Sequence, residues 1–142
     1  QFGSALTMSP TTLAIGSAAF SSSPPLLGQG NVSVYSLEAP GAPMTLTIPD
    51  PGARDRFGAA LALIPPTPGS IPETLVVGAP GRNQAFLYHN VATWQRAAVL
   101  EAPPDGAHSG FGSSVATTGL VHLVGTRGIA QEVGSAYLFS DY

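Results

Sequence analysis

Apolar residues along this chain come in short runs with a period of two or in bursts that stop at a glycine, and no stripe of helical period is visible. Phe2, Ser4, Leu6 and Met8 fall on one side of an alternating segment and Gly3, Ala5 and Thr7 on the other, the pattern of a half-buried β-strand. Leu13-Ala14-Ile15-Gly16, Leu75-Val76-Val77-Gly78 and His122-Leu123-Val124-Gly125 are apolar runs that break at glycine. A third kind of run ends in an aliphatic-aromatic or similar pair: Val32-Ser33-Val34-Tyr35, Ala85-Phe86-Leu87-Tyr88 and Ala136-Tyr137-Leu138-Phe139. A fourth, Met44-Thr45-Leu46-Thr47-Ile48 and Arg96-Ala97-Ala98-Val99-Leu100, follows only the first two sets. The prediction is an all-β chain with four strands, four strands and then three.

These runs recur in register, so the chain is read as an internal repeat. Phe2-Gly3-Ser4-Ala5-Leu6, Phe57-Gly58-Ala59-Ala60-Leu61 and Phe111-Gly112-Ser113-Ser114-Val115 open the three units, their phenylalanines about 55 residues apart. The connections Asp50-Pro51-Gly52-Ala53-Arg54-Asp55-Arg56 and Pro104-Asp105-Gly106-Ala107-His108-Ser109-Gly110 also share a Gly-Ala in register. Four short β-runs in about fifty residues mark a propeller blade, a small twisted antiparallel sheet packed face to face with its neighbours. Residues 1–142 are therefore expected to form a single β-propeller segment, with blade 1 at 1–49, blade 2 at 56–103 and an incomplete blade 3 at 110–142 that lacks its outer strand. Propellers close with about four to eight blades. The expectation is part of a six- or seven-bladed ring, with self-association of copies as the alternative.

Phe-Gly at the head of each unit, together with Val77-Gly78-Ala79-Pro80 after the second strand of the second unit, resembles the FG-GAP repeat of integrin α-subunit N-terminal propellers and related extracellular proteins. The first and third units have Gly16-Ser17-Ala18 and Gly125-Thr126-Arg127 at that place. The resemblance implies an extracellular or cell-surface adhesion module. In that family the loops between second and third strands and those between blades form the recognition face. Carried over, this nominates Phe20, Arg82, Arg127 and Gln131 from the former and Arg54, Arg56 and His108 from the latter as ligand-binding residues. Many such repeats hold calcium in the first hairpin, because a hard cation needs several closely spaced carboxylate oxygens. Here those hairpin loops contain one carboxylate among them, Glu73. Neither calcium nor any other metal or cofactor is expected.

Composition narrows the function classes. Seventeen glycines and fourteen prolines punctuate a chain whose hydrophobic fraction is an ordinary 44%, so they read as turns between strands around a core and not as disorder. Charged residues make up only 9%, lysine is absent, and the five cations are Arg54, Arg56, Arg82, Arg96 and Arg127. Such a weakly solvated surface fits a secreted protein or a subunit buried against partners. A net charge of −3 without a cationic cluster in sequence argues against nucleic acid. The apolar runs fall far short of the ~20 residues of a membrane-spanning helix. Without cysteine there is no disulfide framework and no zinc-thiolate site.

Candidate chemistry is sparse. Asp50, Asp55 and Asp105 sit in interblade connections and are read as turn caps. His89, His108 and His122 have no Ser or Cys in a nucleophile motif beside them, and are read as surface or packing residues, so no enzyme activity is expected. Trp94, just before an outer strand, is read as packing in preference to sugar stacking. Asn31-Val32-Ser33 fits the N-glycosylation acceptor pattern, which makes Asn31 the glycosylation candidate. The leading function is a non-enzymatic extracellular module binding a protein or glycan ligand. A structural subunit of a large surface assembly and an accessory domain of a secreted hydrolase are the alternatives.

Overall fold

The computed structural model describes residues 2–22, 27–104, 110–128 and 133–140. His108, Gln131 and Asp105 lie outside these described residues, as does the Ser23-Pro24-Pro25 stretch. The described residues form eleven strands and no helix, arranged as three antiparallel sheets.

Sheet 1 contains β1 (Ala5–Met8), β2 (Thr12–Ser17), β3 (Asn31–Ser36) and β4 (Met44–Leu46). Sheet 2 contains β5 (Ala60–Ile64), β6 (Glu73–Ala79), β7 (Gln84–Asn90) and β8 (Trp94–Glu101). Sheet 3 contains β9 (Ser114–Thr117), β10 (Val121–Gly125) and β11 (Ala136–Ser140). Within each sheet the strands follow one another in chain order, so every connection is a simple up-and-down meander. The four, four and three strands expected from the apolar runs are all present.

Two details differ from the sequence reading. Phe-Gly does not begin the first strand of each unit; it forms a turn that precedes it, because Gly3, Gly58 and Gly112 adopt φ of 83°, 85° and 90°. That left-handed backbone is open to glycine and breaks the extended geometry. The turn is closed identically three times: the N–H of Gly3 donates to Gly16 O (3.0 Å), that of Gly58 to Gly78 O (3.0 Å) and that of Gly112 to Gly125 O (3.1 Å). The second difference is Trp94, which is the first residue of β8 and pairs with Asn90, so it lies in the outer strand and not before it. A register shift at Leu87/Tyr88 in the β7–β8 ladder accommodates this longer strand.

Burial follows the stacking. In β6 every residue from Glu73 to Ala79 is buried, since sheet 2 is covered on both faces, and after the polar Glu73 and Thr74 the strand is accordingly a continuous apolar run from Leu75 to Ala79. By contrast β10 and β11 alternate, with one face covered. One core lies between sheets 1 and 2, where Ala14, Val32, Val34 and Leu46 meet Phe57, Leu75, Val77, Phe86 and Tyr88. A second lies between sheets 2 and 3, joining Val76, Leu87 and Leu100 to Phe111 and Val124. Phe57 stands edge-on to Phe86 and Tyr88 (5.5 and 6.3 Å between centroids), and Phe111 takes the equivalent place beside Tyr137 and Phe139 (5.8 and 6.0 Å). Both phenylalanines have 0% exposure, whereas Phe2, their counterpart in sheet 1, is 67% exposed. The reason is positional: the side of each sheet that carries this residue faces the preceding sheet, and among the described residues sheet 1 has none before it.

The sheets approach closely because glycine sits where they touch. A Cβ on Gly16 would lie 2.0 Å from Gly58 O, and one on Gly78 would lie 2.0 Å from Gly112 O. Farther along the strands, the buried carboxylate of Glu73 ties sheet 2 to the β1–β2 turn. Its Oε1 accepts from Ser9 Oγ (2.7 Å) and Thr11 Oγ1 (3.3 Å), and its Oε2 from Asn90 Nδ2 (3.1 Å).

Candidate ligand-binding rim

The β2–β3 loop, the β6–β7 turn and the connection from sheet 1 to sheet 2 meet at one end of the strands. Residues 54–57 run alongside 27–30 as a short backbone ladder: Arg54 N–H donates to Leu27 O (2.7 Å), Arg56 N–H to Gly28 O (3.0 Å) and Phe57 N–H to Gln29 O (3.0 Å). Within it Arg54 and Arg56 both take left-handed φ, 65° and 57°. Such a conformation is sparsely populated by side-chain-bearing residues and is held only where the surroundings enforce it. Asp55 between them is buried, while Arg54 and Arg56 are exposed on the rim.

Asp55 anchors the connection from below. Its Oδ2 accepts from Gly52 N–H (2.5 Å) and from Arg82 Nη1 (3.2 Å). Arg82 also donates from Nη1 to Asp50 O (2.7 Å) and from Nε to Gln84 Oε1 (2.8 Å). Gln84 in turn donates to Glu101 Oε1 (2.6 Å). Arg82 is therefore a structural cation whose charge is matched within the fold, and Asp55 is the turn cap its position suggested.

Arg54, Arg56 and Arg127 are placed differently. Together with Pro80, Asn83 and Gly110 they line a cleft of about 360 Å³. Arg54 and Arg56 also border an adjoining hollow of about 220 Å³ formed with Ala18, Ala19 and Gly28. Among the described residues, none of these three guanidinium groups has an ion-pair partner. Asn83, which sequence reasoning passed over, shapes the cleft floor: it adopts φ 57° and its Oδ1 accepts from Gly110 N–H (2.7 Å). The Pro-Gly-Arg-Asn turn sequence carried that signal, since asparagine tolerates the left-handed region better than most residues.

Of the residues nominated from the sequence, the fold thus brings Arg54, Arg56 and Arg127 to one cleft and engages Arg82 beneath it. Phe20 stays on the neighbouring loop outside both hollows, its N–H donating to Ser17 O and its carbonyl accepting from Gly30 N–H. Asn31 heads β3, half-buried, opposite Ser17.

The other end of the strands holds a larger groove of about 710 Å³ bordered by Thr11, Tyr35, Glu38, Glu73, Asn90 and Trp94. Its buried carboxylate, Glu73, is taken up by the three hydrogen bonds described above. Trp94 is buried in the core between sheets 1 and 2. His122 is buried in sheet 3 and shares a hydrogen bond with Thr117 Oγ1 (2.9 Å), and His89 sits in β7 across from Thr74 and Gln95. Compared with known proteins, the chain matches no family model and no curated protein sequence at significance.

Proposed function

We propose that the chain is a non-enzymatic binding module made of FG-GAP-type β-propeller blades, and that it holds an anionic group of a protein or glycan ligand where Arg54, Arg56 and Arg127 converge. The observation that carries this reading is the gathering of three of the five cations on one cleft, with no opposing carboxylate among the described residues. Like charges set together repel one another, and a carboxylate or sulfate relieves that repulsion with bidentate, charge-assisted hydrogen bonds. Two of the arginines stand on left-handed backbone that the loop ladder enforces, so the main chain that carries them is already set before a ligand arrives. The low charged fraction, the absence of lysine and the Asn31-Val32-Ser33 triplet support an extracellular or cell-surface setting.

Titration calorimetry with two probes, a sulfated heparin oligosaccharide and a polyglutamate peptide, tests the reading. At least one probe is expected to bind, more weakly as salt rises. The double substitution Arg54→Ala/Arg127→Ala is expected to cost at least about tenfold in affinity, roughly 1.4 kcal/mol. Arg96→Ala, which removes a cation that lies on β8 and does not border the cleft, is the control. Absence of binding by both probes, or equal losses in the control and the double variant, overturns it.

A further inference from the structure

The groove at the end of the strands away from the arginine cleft has a cause in the sequence. β3 pairs with β4 only at Val32, Ser33 and Val34, because Pro40 and Pro43 stand just before Met44 and proline has no N–H to give a ladder. On the facing sheet β8 runs on to Trp94, opposite Asn90. Sheet 1 therefore lacks an outer strand where sheet 2 keeps one, and the groove of about 710 Å³ opens between them. That volume lies within the usual range of ligand pockets.

The polar side chains that border it are hydroxyls, one amide and two carboxylates, with no cation among them. Glu38 is exposed and has no ion-pair partner among the described residues. Glu73 is 4% exposed, and its three donors, Ser9, Thr11 and Asn90, are all neutral, so no positive charge stands against it. A carboxylate offers about four accepting sites, and one on Oε2 is still open. Asn90 gives its amide N–H to that carboxylate and keeps Oδ1 free. Thr12 is a separate observation: it is 4% exposed, lies on the same face of β2 as the core residue Ala14, and borders the groove with a hydroxyl that makes no hydrogen bond among the described residues. A buried polar group without a partner is rare in a folded chain and marks a place for one. Val34, Met44 and Trp94 add apolar walls, and Met44 is 43% exposed.

We propose that this groove binds a basic side chain, arginine or lysine, of a protein partner, its cationic head toward Glu38, Glu73 and the Thr12 hydroxyl and its aliphatic stem along Met44. A guanidinium or an ammonium brings only N–H donors and no acceptor, which suits a lining rich in acceptors and free of cations. A neutral polyol would supply donors too, but it would leave both carboxylates without an opposite charge. Long basic side chains pack their stems on apolar surface while the head keeps to polar groups, and the groove offers both kinds of wall. It lies wholly between sheets 1 and 2, and its occupancy is independent of the arginine cleft at the other end.

Trp94 is the sole tryptophan of the chain and borders the groove, so its indole N–H resonance reports occupancy. Titration with acetyl-arginine amide and acetyl-lysine amide is expected to shift that resonance saturably for at least one of the two, and more weakly as salt rises. The neutral counterparts, acetyl-citrulline amide and acetyl-norleucine amide, are expected to bind at least about tenfold more weakly. Glu38→Gln, at an exposed position, is expected to weaken the cationic probe about threefold, and Thr12→Val, which keeps the shape and removes the hydroxyl, by a similar factor. Glu101→Gln removes an exposed carboxylate that does not border the groove and is expected to change nothing, as is Arg54→Ala/Arg127→Ala at the other end. Circular dichroism of each variant establishes that it is folded. No saturable shift with either cationic probe, equal affinity for a cationic probe and its neutral counterpart, or equal losses in Glu38→Gln and Glu101→Gln overturns the proposal.

Discussion

The carbonyl oxygen of Gly58 stands 2.0 Å from where a Cβ on Gly16 would be. Backbone from one sheet thus lies against backbone of the next with no side chain between. The same relationship holds between Gly112 and Gly78, and it fixes the spacing at which the two apolar cores can close.

Gly78→Ala is expected to force sheets 2 and 3 apart, because the atom it would strike belongs to the main chain and cannot rotate away. The overpacking cost is about 3 kcal/mol. Gly16→Ala should behave alike between sheets 1 and 2. Gly41→Ala, whose Cβ would meet only Ala39 O at 4.0 Å and whose φ is not in the left-handed region, should be near neutral. Urea unfolding of the three variants checks the ranking.

Glu73 joins elements far apart in the chain through a carboxylate that is almost completely buried. Glu73→Ala leaves the hydroxyls of Ser9 and Thr11 and the Asn90 amide without their acceptor, and should lower stability by about 2–3 kcal/mol. Glu73→Gln keeps the shape and part of the accepting capacity, so its loss should be smaller. Thermal unfolding followed by circular dichroism distinguishes the two.

Asp55 does not line the arginine cleft, yet it holds the connection that carries Arg54 and Arg56. Asp55→Ala removes both the cap on Gly52 N–H and the partner of Arg82. Anion binding at the cleft should weaken several-fold although no lining residue has changed, and protease cleavage in the 50–56 connection should speed up. A variant that unfolds no faster, digests no faster and binds equally well would show that the ladder to residues 27–30 is sufficient by itself.

Much of this architecture could be read from the order of residues, and the reasons are physical. The alternation of β1 and the continuous Leu75-Val76-Val77 run report one-sided and two-sided burial, because strand side chains project to opposite faces with a period of two. Spaced Phe-Gly pairs exposed the repeat. What the order of residues could not show is what each glycine is for. Gly58 serves a turn and Gly16 serves a contact with a different sheet, and both look like ordinary breaks in an apolar run. The placement of Phe-Gly inside a strand went astray for that reason: Phe2 fits the alternation, but a left-handed glycine after it turns the chain. At the rim, Arg54 and Arg56 stand in a backbone region that arginine seldom occupies. Only the ladder with residues 27–30, a long-range pairing, dictates it, and so their convergence with Arg127 had no local signal.

Tyr88 gives the fold a signature in alkaline solution. It lies buried between sheets 1 and 2, edge-on to Phe57. Loss of hydration pushes its phenol from 10.0 up to about 12, with the nearby Arg96 guanidinium pulling the other way. Below about pH 10 the phenol is neutral in both folded and unfolded chains, and its contribution to stability is fully present. Between about 10 and 12 the unfolded chain releases the proton while the folded chain keeps it, so unfolding is progressively favoured. Stability should therefore fall as pH rises through this window, by an amount on the order of 2 kcal/mol. Tyr88→Phe removes the ionisable group while keeping the ring against Phe57, and should flatten that part of the profile. Arg96→Ala should push the upper edge of the window higher. Urea midpoints measured from pH 9 to pH 12 for the three proteins decide the matter: a slope in the Tyr88→Phe protein as steep as in the wild type would assign the alkaline loss to another group.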